Sequence, residues 1–466
     1  MAKVMDAFTS FIANNSYERL PEAVVYESKR LLLDGIGNML GGLASDKGKV
    51  GVQMARRMGG TPESTLVGVG GKYSASVAAF CNAELLNGLD MDPIPHIPPI
   101  VIPSVLAVAE AEHVSGKDLI AANAVGTEVA GRLSGVLLSI MSRSLIKYGK
   151  TPDIFGNSNE HIIGAAAGNA MLMKLDPEQA SHAMGIAAYY CSLPVCRDWE
   201  STMPKSMIKY VPVSWMAQGA VQAAMMAREG YTGNNQTLDS EFGFPIIYCR
   251  EPDVWDPDKV IDGLGERWNL LNTQYKPYPC CRYLHSMLDV FYRMKEKYDL
   301  YPGNIAAIRC HTSKFVAHPD QYAVNNQIDA QFSGPYNMAL AAFDYAPGPA
   351  WQDKKALTDP RVLDFMKRVT MFVAPEYAEL RAKDPKSWYA RVEIDTTDGR
   401  TLVDSTEYGR GANVDGYRLT EEDMAERFRV CASVILPSHK IERAIDQIMN
   451  LEKLDSLSSL MENLTL

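Results

Sequence analysis

Apolar residues recur at helical spacing through most of the first half of the chain. In the segment 20–42, Leu32, Ile36 and Met39 lie three or four positions apart, which predicts a helix with Pro21 in its first turn. Later segments rich in Ala and Gly predict helices that approach one another closely. The predicted helices of this part are residues 20–42, 74–87, 104–114, 116–133, 161–174, 177–190 and 213–229.

The pattern changes near Trp268, where predicted strands begin to alternate with helices. Apolar and charged residues alternate over 390–395, and Asp398–Gly399 supplies a turn, which together predict a hairpin over residues 388–408. Helical periodicity returns from Leu419, and Thr420 forms a predicted capping box with Asp423. The other predicted elements of this part are a strand at 304–312 and helices at 283–298, 332–343 and 360–368.

This order of elements predicts a mainly α fold with an α+β lid. We expect a large all-helical domain formed by both chain ends, residues 1–267 and 410–466, and a smaller inserted α+β domain, residues 268–409. A chain of 466 residues is long enough for two large domains.

One stretch, residues 85–103 (LLNGLDMDPIPHIPPIVIP), interrupts the helical pattern. It carries Asp90, Asp92 and His96 among five prolines, which fix the backbone φ and donate no hydrogen bond. The prolines predict a stiff, non-helical loop between helices, able to hold an acid and an imidazole in place for proton transfer. A motif this short also fits an ordinary connecting loop with solvated carboxylates.

Four further stretches combine reactive side chains with unusual backbone. Taken singly, a lysine is more often a solvated surface charge, and a histidine or tyrosine more often a core residue with its polar atoms satisfied. The candidate site residues in these stretches are Lys209, Lys276, Arg282, His285, Tyr336 and His161.

Charge and composition exclude several classes of function. The formal charge of −10 argues against a nucleic-acid partner, which would require a basic face. Two uncharged runs, 179–196 and 210–227, reach membrane-spanning length, but proline and polar residues interrupt them, so buried helices are expected instead.

The chain begins without a signal-peptide pattern, and its eight cysteines include no C-x2-C pair. These features predict a cytoplasmic protein with reduced thiols and no metal.

Seven stretches resemble, in order, those of the MmgE/PrpD family, which includes 2-methylcitrate dehydratase, cis-aconitate decarboxylase and iminodisuccinate epimerase. The resemblance implies a helical domain with an α+β lid, a homodimer, and a small di- or tricarboxylate substrate that reacts next to a carboxylate without a metal or other cofactor. The stretches are LPEAVVYESKRLLLDGIG, GGTPEST, AAFCNAELLNGLDMD, LDPEQASHAMGIA, REGYTG, KPYPCCRYLHS and AQFSGPY.

The resemblance also implies roles for individual residues. His96 is the expected proton-transfer group, and Asp90 or Asp92 would orient it or bind a substrate hydroxyl. Lys209 and Tyr336 complete the implied catalytic set. The implied substrate-binding residues are Lys276, Arg282, His285 and His161.

This sequence departs from the family pattern at two positions that bear on the chemistry. Pro93 stands where the family has a second adjacent aspartate, and the family's histidine in the glycine-rich region falls on Phe155, unless His161 replaces it. The leading hypothesis is a metal-independent lyase that dehydrates or, less favoured, decarboxylates a polycarboxylate. The alternatives are an epimerase of an amino- or imino-dicarboxylate and a polycarboxylate-binding protein without catalysis.

Overall fold

The computed structural model describes residues 3–148, 152–249 and 255–466 of the chain. Helices make up 57% of the structure and strands 8%, which confirms the prediction of a mainly α fold with a small α+β part.

The first part of the chain forms a helical bundle in which small residues stand where helices cross. A Cβ atom on Gly164 would lie 2.3 Å from the Gly126 carbonyl oxygen, so a larger residue there would push the two helices apart. A short β1–β2 ribbon (Ser64–Thr65 and Lys72–Tyr73) joins two of the helices. The helices are α1 (Lys3–Asn14), α2 (Glu22–Gly42), α3 (Asp46–Met58), α4 (Ala75–Leu86), α5 (Pro98–Ala111), α6 (Gly116–Tyr148), α7 (His161–Leu172), α8 (Pro177–Tyr189), α9 (Cys196–Ser201), α10 (Val213–Arg228) and α11 (Pro257–Ile261).

The last helices return to this bundle. They are α18 (Glu421–Ala432), α19 (Ser438–Met449) and α20 (Ser458–Asn463), and their apolar residues belong to the same buried core as those of α1–α10. The predicted capping box of Thr420 and Asp423 is present at the start of α18. Phe428 of α18 packs against Gly37 of α2, and Arg427 forms an ion pair with the buried Asp34. Both chain ends therefore build the first core.

A second core lies between Tyr278 and Ile394. Its four-stranded sheet has the order β4-β3-β5-β6, in which β3 and β4 are parallel and the other pairs antiparallel. The hairpin predicted over 388–408 is present, with Gly399 at φ 87° in its turn. The elements are α12 (His285–Tyr298), β3 (Ile305–Thr312), α13 (Gln327–Phe332), α14 (Gly334–Ala342), α15 (Lys354–Leu357), α16 (Pro360–Phe365), β4 (Val369–Val373), α17 (Pro375–Lys383), β5 (Ala390–Thr396) and β6 (Thr401–Thr406).

The chain passes from the first core to the second between Tyr275 and Tyr278. The domain boundaries predicted at 267/268 and 409/410 stay predictions. Strand β4 was missed, because periodicity alone does not separate a short apolar run from the end of the preceding helix.

The prediction of a non-helical loop over the whole of residues 85–103 was wrong in its second half. Helix α5 begins at Pro98 and contains Pro103. Pro98 and Pro99 occupy the first turn, where backbone N–H groups have no intrahelical partner, so these prolines cost the helix no hydrogen bond. The irregular segment is therefore residues 87–97, which we call the site loop.

The two uncharged runs lie mainly in α8 and α10, and both helices contribute many buried residues, as predicted. Within the described ranges, no helix combines the length and the apolar character that crossing a membrane would require. The cysteines whose side chains the structure describes are free thiols.

Candidate functional site

The site loop is held by side chains from distant parts of the chain. Five consecutive backbone carbonyls, from Asn87 to Met91, each accept a hydrogen bond from such a side chain. The donors, in order along the loop, are Lys209 (3.1 Å), Gln331 (2.9 Å), Gln352 (2.8 Å), Lys276 (2.9 Å) and Arg427 (3.3 Å). Because both cores and the C-terminal helices supply these donors, the loop is preorganised by the whole fold.

The carboxylate of Asp90 bridges two lysines inside the protein. Lys209 Nζ donates to Oδ1 at 2.8 Å, and Lys276 Nζ donates to Oδ2 at 2.8 Å. All three side chains are buried. Asp90 (φ 58°) and Lys209 (φ 55°) both adopt left-handed backbone, a conformation that costs energy in residues other than glycine and is concentrated at functional sites.

Charge pairing decides the ionisation of this cluster. Burial raises the pKa of Asp90, but the charges of Lys209 and Lys276 outweigh it and hold the pKa below its usual value. Burial lowers the pKa of Lys276, but Asp90 and Asp92 outweigh it, and the net pKa is raised. For Lys209, burial dominates and lowers the pKa, although Asp90 opposes it. Asp90 and Lys276 therefore both carry charge at neutral pH.

Asp92 and His96 form a second pair in the site loop. His96 Nδ1 is hydrogen-bonded to Asp92 Oδ2, and Asp92 Oδ1 accepts from Asn87 Nδ2 at 3.1 Å. Because an ionised carboxylate only accepts hydrogen bonds, the proton of a neutral imidazole lies on Nδ1 and leaves Nε2 as the proton acceptor.

The electrostatics of this pair favour a neutral imidazole beside an ionised carboxylate. Burial lowers the pKa of His96 by more than the charge of Asp92 raises it, and Lys276 adds to the lowering. Burial also raises the pKa of Asp92, but the interactions with His96, Lys276 and Lys209 more than offset this and keep the carboxyl ionised. A neutral imidazole oriented by a carboxylate is an arrangement suited to a general base.

His161 supports the backbone beneath His96. Its Nδ1 donates to the His96 carbonyl oxygen at 3.0 Å, and its Nε2 lies 3.2 Å from both Ser134 Oγ and Glu160 Oε1. Phe155 is buried and pairs through its backbone with Val195. Whether His161 replaces the family histidine stays a prediction, but its ring contacts the loop backbone.

Arg282 and His285 are occupied by backbone carbonyls near the junction of the two cores. His285 Nε2 donates to the Cys280 carbonyl at 3.1 Å, and burial, reinforced by Arg282, lowers the pKa of His285 well below its usual value. The ring is therefore neutral and offers no charge to an anion. Arg282 donates to the carbonyls of Tyr275 (3.3 Å), Gly409 (3.0 Å) and Arg410 (2.7 Å). The substrate-binding role predicted for both residues stays a prediction, and these contacts favour a role in joining the two cores.

Tyr336 lies in the second core, and its hydroxyl donates to the Trp351 carbonyl oxygen at 2.9 Å. The structure therefore does not bring this hydroxyl into the cluster of Asp90, Lys209 and Lys276. Its predicted catalytic role stays a prediction that this placement does not support.

Sequence reasoning missed Asn87 and Tyr210. Asn87 joins both halves of the cluster, because its carbonyl accepts from Lys209, its Oδ1 accepts from Lys47 at 2.7 Å and its Nδ2 donates to Asp92. An asparagine before a glycine at a helix end indicates a helix cap, so the sequence gives no sign that Asn87 links the lysines to Asp92. Tyr210 was assigned to an uncharged helical run, yet its ring packs against His96.

The cluster can orient an anion and move a proton. Each lysine ammonium has three N–H donors, of which Lys209 and Lys276 each use two in the described contacts. One donor on each remains for a ligand. Within the described ranges, no group of three or more His, Cys, Asp or Glu side chains is arranged to hold a metal ion.

The sequence of this chain is similar to proteins of one known family along most of its length. Residues 6–255 match the MmgE/PrpD N-terminal domain, and residues 278–453 match the MmgE/PrpD C-terminal domain. Among curated relatives, the cis-aconitate decarboxylase-like protein oryM of Aspergillus oryzae is 24% identical over 95% of this chain and 93% of that protein. The cis-aconitate decarboxylases of Homo sapiens and Mus musculus are each 24% identical over 99% of this chain, and the matches cover 94% and 93% of those proteins.

Proposed function

The chain belongs to the MmgE/PrpD family, and from this membership we propose that it is a lyase acting on a small tricarboxylate or dicarboxylate. The observation that carries the proposal is the buried cluster in which the Asp92–His96 pair lies beside Lys209 and Lys276. Lysine ammonium groups bind carboxylates and stabilise the negative charge that develops when a proton or CO2 leaves the neighbouring carbon.

The geometry favours elimination of water as the reaction. His96 Nε2 takes the proton next to a substrate carboxylate, the C–H electron pair forms the new double bond, and the hydroxyl group leaves as water with the proton that His96 Nε2 returns to it. This step requires an imidazole that is neutral before reaction, as burial makes His96. The spare N–H donors of Lys209 and Lys276 would hold the substrate carboxylates.

Decarboxylation is the second candidate, and the names of the relatives favour it. In that reaction CO2 leaves with cleavage of a C–C bond, and the carbon that keeps the electron pair must receive a proton. His96 would then have to be protonated before reaction. The two candidates therefore require opposite protonation states of one residue.

Incubation in D2O with citrate, 2-methylcitrate, cis-aconitate and iminodisuccinate, followed by mass spectrometry, tests the proposal. A lyase changes the mass of one of these acids by the mass of water or of CO2, and we expect the loss of water. An epimerase would exchange one hydrogen for deuterium without other change. A protein that binds these acids and alters none of them would contradict catalysis.

The pH dependence of the same reaction separates the two lyase candidates. Because burial holds the pKa of His96 below its usual value of about 6.5, a base mechanism predicts that kcat/KM falls only as pH drops below about 6.5. Between about pH 6.5 and neutral pH, kcat/KM should not change with pH. A kcat/KM that falls instead as pH rises through the same region would identify His96 as the proton donor and favour decarboxylation.

We also propose that the protein functions as a homodimer through an exposed apolar face near α8 and α10. Four apolar side chains between Tyr189 of α8 and Trp215 of α10 are exposed by between 49% and 75%: Tyr189, Leu193, Ile208 and Trp215. Apolar patches of this kind mark association surfaces. Leu193→Glu should convert a dimer to a monomer in light scattering during size-exclusion chromatography. A monomeric unaltered protein at micromolar concentration would contradict the proposal.

A further inference from the structure

Tyr210 enters the cluster through the unusual backbone of the residue before it. The left-handed conformation of Lys209 brings two consecutive side chains to the same region: Lys209 reaches Asp90, and Tyr210 reaches His96. The ring centroids of Tyr210 and His96 are 4.9 Å apart, and Trp199 makes an edge-to-face contact with the Tyr210 ring at 5.9 Å. The Tyr210 ring is therefore held in place by its contacts with the rings of His96 and Trp199.

The hydroxyl of Tyr210 is buried and makes no hydrogen bond of normal geometry within the part of the chain that the structure describes. The Asn87 amide, which donates one N–H to Asp92, interacts with this hydroxyl as a donor, so the hydroxyl's own proton has no acceptor among the described residues. The buried hydroxyl of Tyr278, by contrast, has a partner, because it donates to Asp289 Oδ1 at 2.8 Å. An unpaired buried hydroxyl is costly, so its persistence at a site indicates a missing partner.

The Tyr210 hydroxyl is protonated and can therefore donate a hydrogen bond. Burial, together with the charges of Asp92 and Asp90, raises the pKa of Tyr210 well above its usual value, against a lowering by the Asn87 side chain. The phenol therefore keeps its proton. A carboxylate ligand is the acceptor that the spare N–H groups of Lys209 and Lys276 would also attract.

We propose that the Tyr210 hydroxyl donates a hydrogen bond to a carboxylate oxygen of the bound polycarboxylate, beside the Lys209 ammonium. This inference rests on the proposed function and assigns a substrate contact to a residue outside the set predicted from the sequence. Lys209 and Tyr210 together would form a two-donor clamp on one carboxylate. That clamp stabilises the enolate-like charge that develops on this carboxylate when His96 removes the neighbouring proton.

The test compares Tyr210→Phe with the unaltered protein, using propane-1,2,3-tricarboxylate as a probe that has no hydroxyl to eliminate. Phenylalanine keeps the ring contacts with His96 and Trp199 and removes only the hydroxyl. We expect calorimetric titration to show binding about 10- to 100-fold weaker, the range that a hydrogen bond to a charged group contributes. The melting temperature without ligand should not fall, because the hydroxyl has no partner to lose.

Tyr278→Phe is the matched control. It removes a buried hydroxyl that is hydrogen-bonded to Asp289, so it should lower the melting temperature and leave the affinity for the probe unchanged. Equal affinity of Tyr210→Phe and the unaltered protein would overturn the inference and leave the proposed function standing. A melting temperature lowered as much as in the control would overturn it too, by showing a structural role. Failure of the unaltered protein to bind the probe would overturn the proposed function, and this inference with it.

Discussion

His96→Gln is expected to lower kcat by about 10²-fold or more, the usual scale for removing a general acid or base. The amide of glutamine can still donate to Asp92, so the buried carboxylate keeps a partner. No group at this position can then accept the substrate proton. The measurement is kcat at saturating substrate, for the acid that the D2O experiment identifies, together with the melting temperature of each protein.

His182→Gln is the matched control for this substitution. His182 lies in α8, and its Nδ1 donates to the Gly233 carbonyl at 3.1 Å, but it makes no described contact with the site loop. Its replacement should leave kcat unchanged. A His96→Gln variant with the melting temperature and the kcat of the unaltered protein would show that the site loop is structural and that proton transfer occurs elsewhere.

Asp90→Asn is expected to lower the free energy of unfolding by about 3–5 kcal/mol, the cost of removing one partner from a buried ion pair. The variant removes the one carboxylate that pairs directly with both buried lysines, Lys209 and Lys276. Asparagine is the appropriate replacement because it keeps the shape and tolerates the left-handed φ of 58°. Urea denaturation followed by circular dichroism measures the change.

The pH dependence of this difference follows from the lowered pKa of Asp90. A carboxyl whose pKa is lower in the folded state contributes stability above its unfolded pKa of about 3.9 and loses it as pH falls through the folded value. The difference between Asp90→Asn and the unaltered protein should therefore be complete at neutral pH and shrink only below about pH 4. A difference that already disappears near pH 6 would mean that Asp90 is not ionised as the structure indicates.

Two further variants show whether the cost comes from buried charge. Glu379→Gln makes the same carboxylate-to-amide change in an exposed pair with Lys383 and should have no measurable effect. Adding Lys209→Met to Asp90→Asn removes one of the uncompensated ammonium groups and should restore part of the lost stability. If Asp90→Asn is as mild as Glu379→Gln, the bridging role of Asp90 is wrong.

The local pattern of the sequence was sufficient for the fold class and for most elements. Helical periodicity and small residues predicted α2, α4, α7, α8 and α10. The alternation over 390–395 and the turn at Asp398–Gly399 predicted the β5–β6 hairpin. These features depend on neighbours a few residues away, which is the range over which a sequence can be interpreted directly. The same local rules failed at Pro98, where prolines that usually end a helix begin one.

The sequence also identified, mainly through the family resemblance, several residues that the structure brings together. Asp90, Asp92, His96, Lys209 and Lys276 all lie in one buried network. What each side chain contacts was not predictable. The resemblance implied that Lys209 and Lys276 act on the substrate, but it gave no sign that both ammonium groups pair with the Asp90 carboxylate, as they do in the structure.

Tertiary structure alone decided which polar atoms are satisfied by the protein and which remain for a ligand. Asp90 pairs with Lys209 across 119 positions and with Lys276 across 186, and no local spacing encodes such partners. The hydroxyl of Tyr336, predicted to be catalytic, is satisfied by a carbonyl, while that of Tyr210 is not. Sequence determines which groups are available, but long-range packing determines burial, and burial decides which hydrogen bonds and charges must be paired.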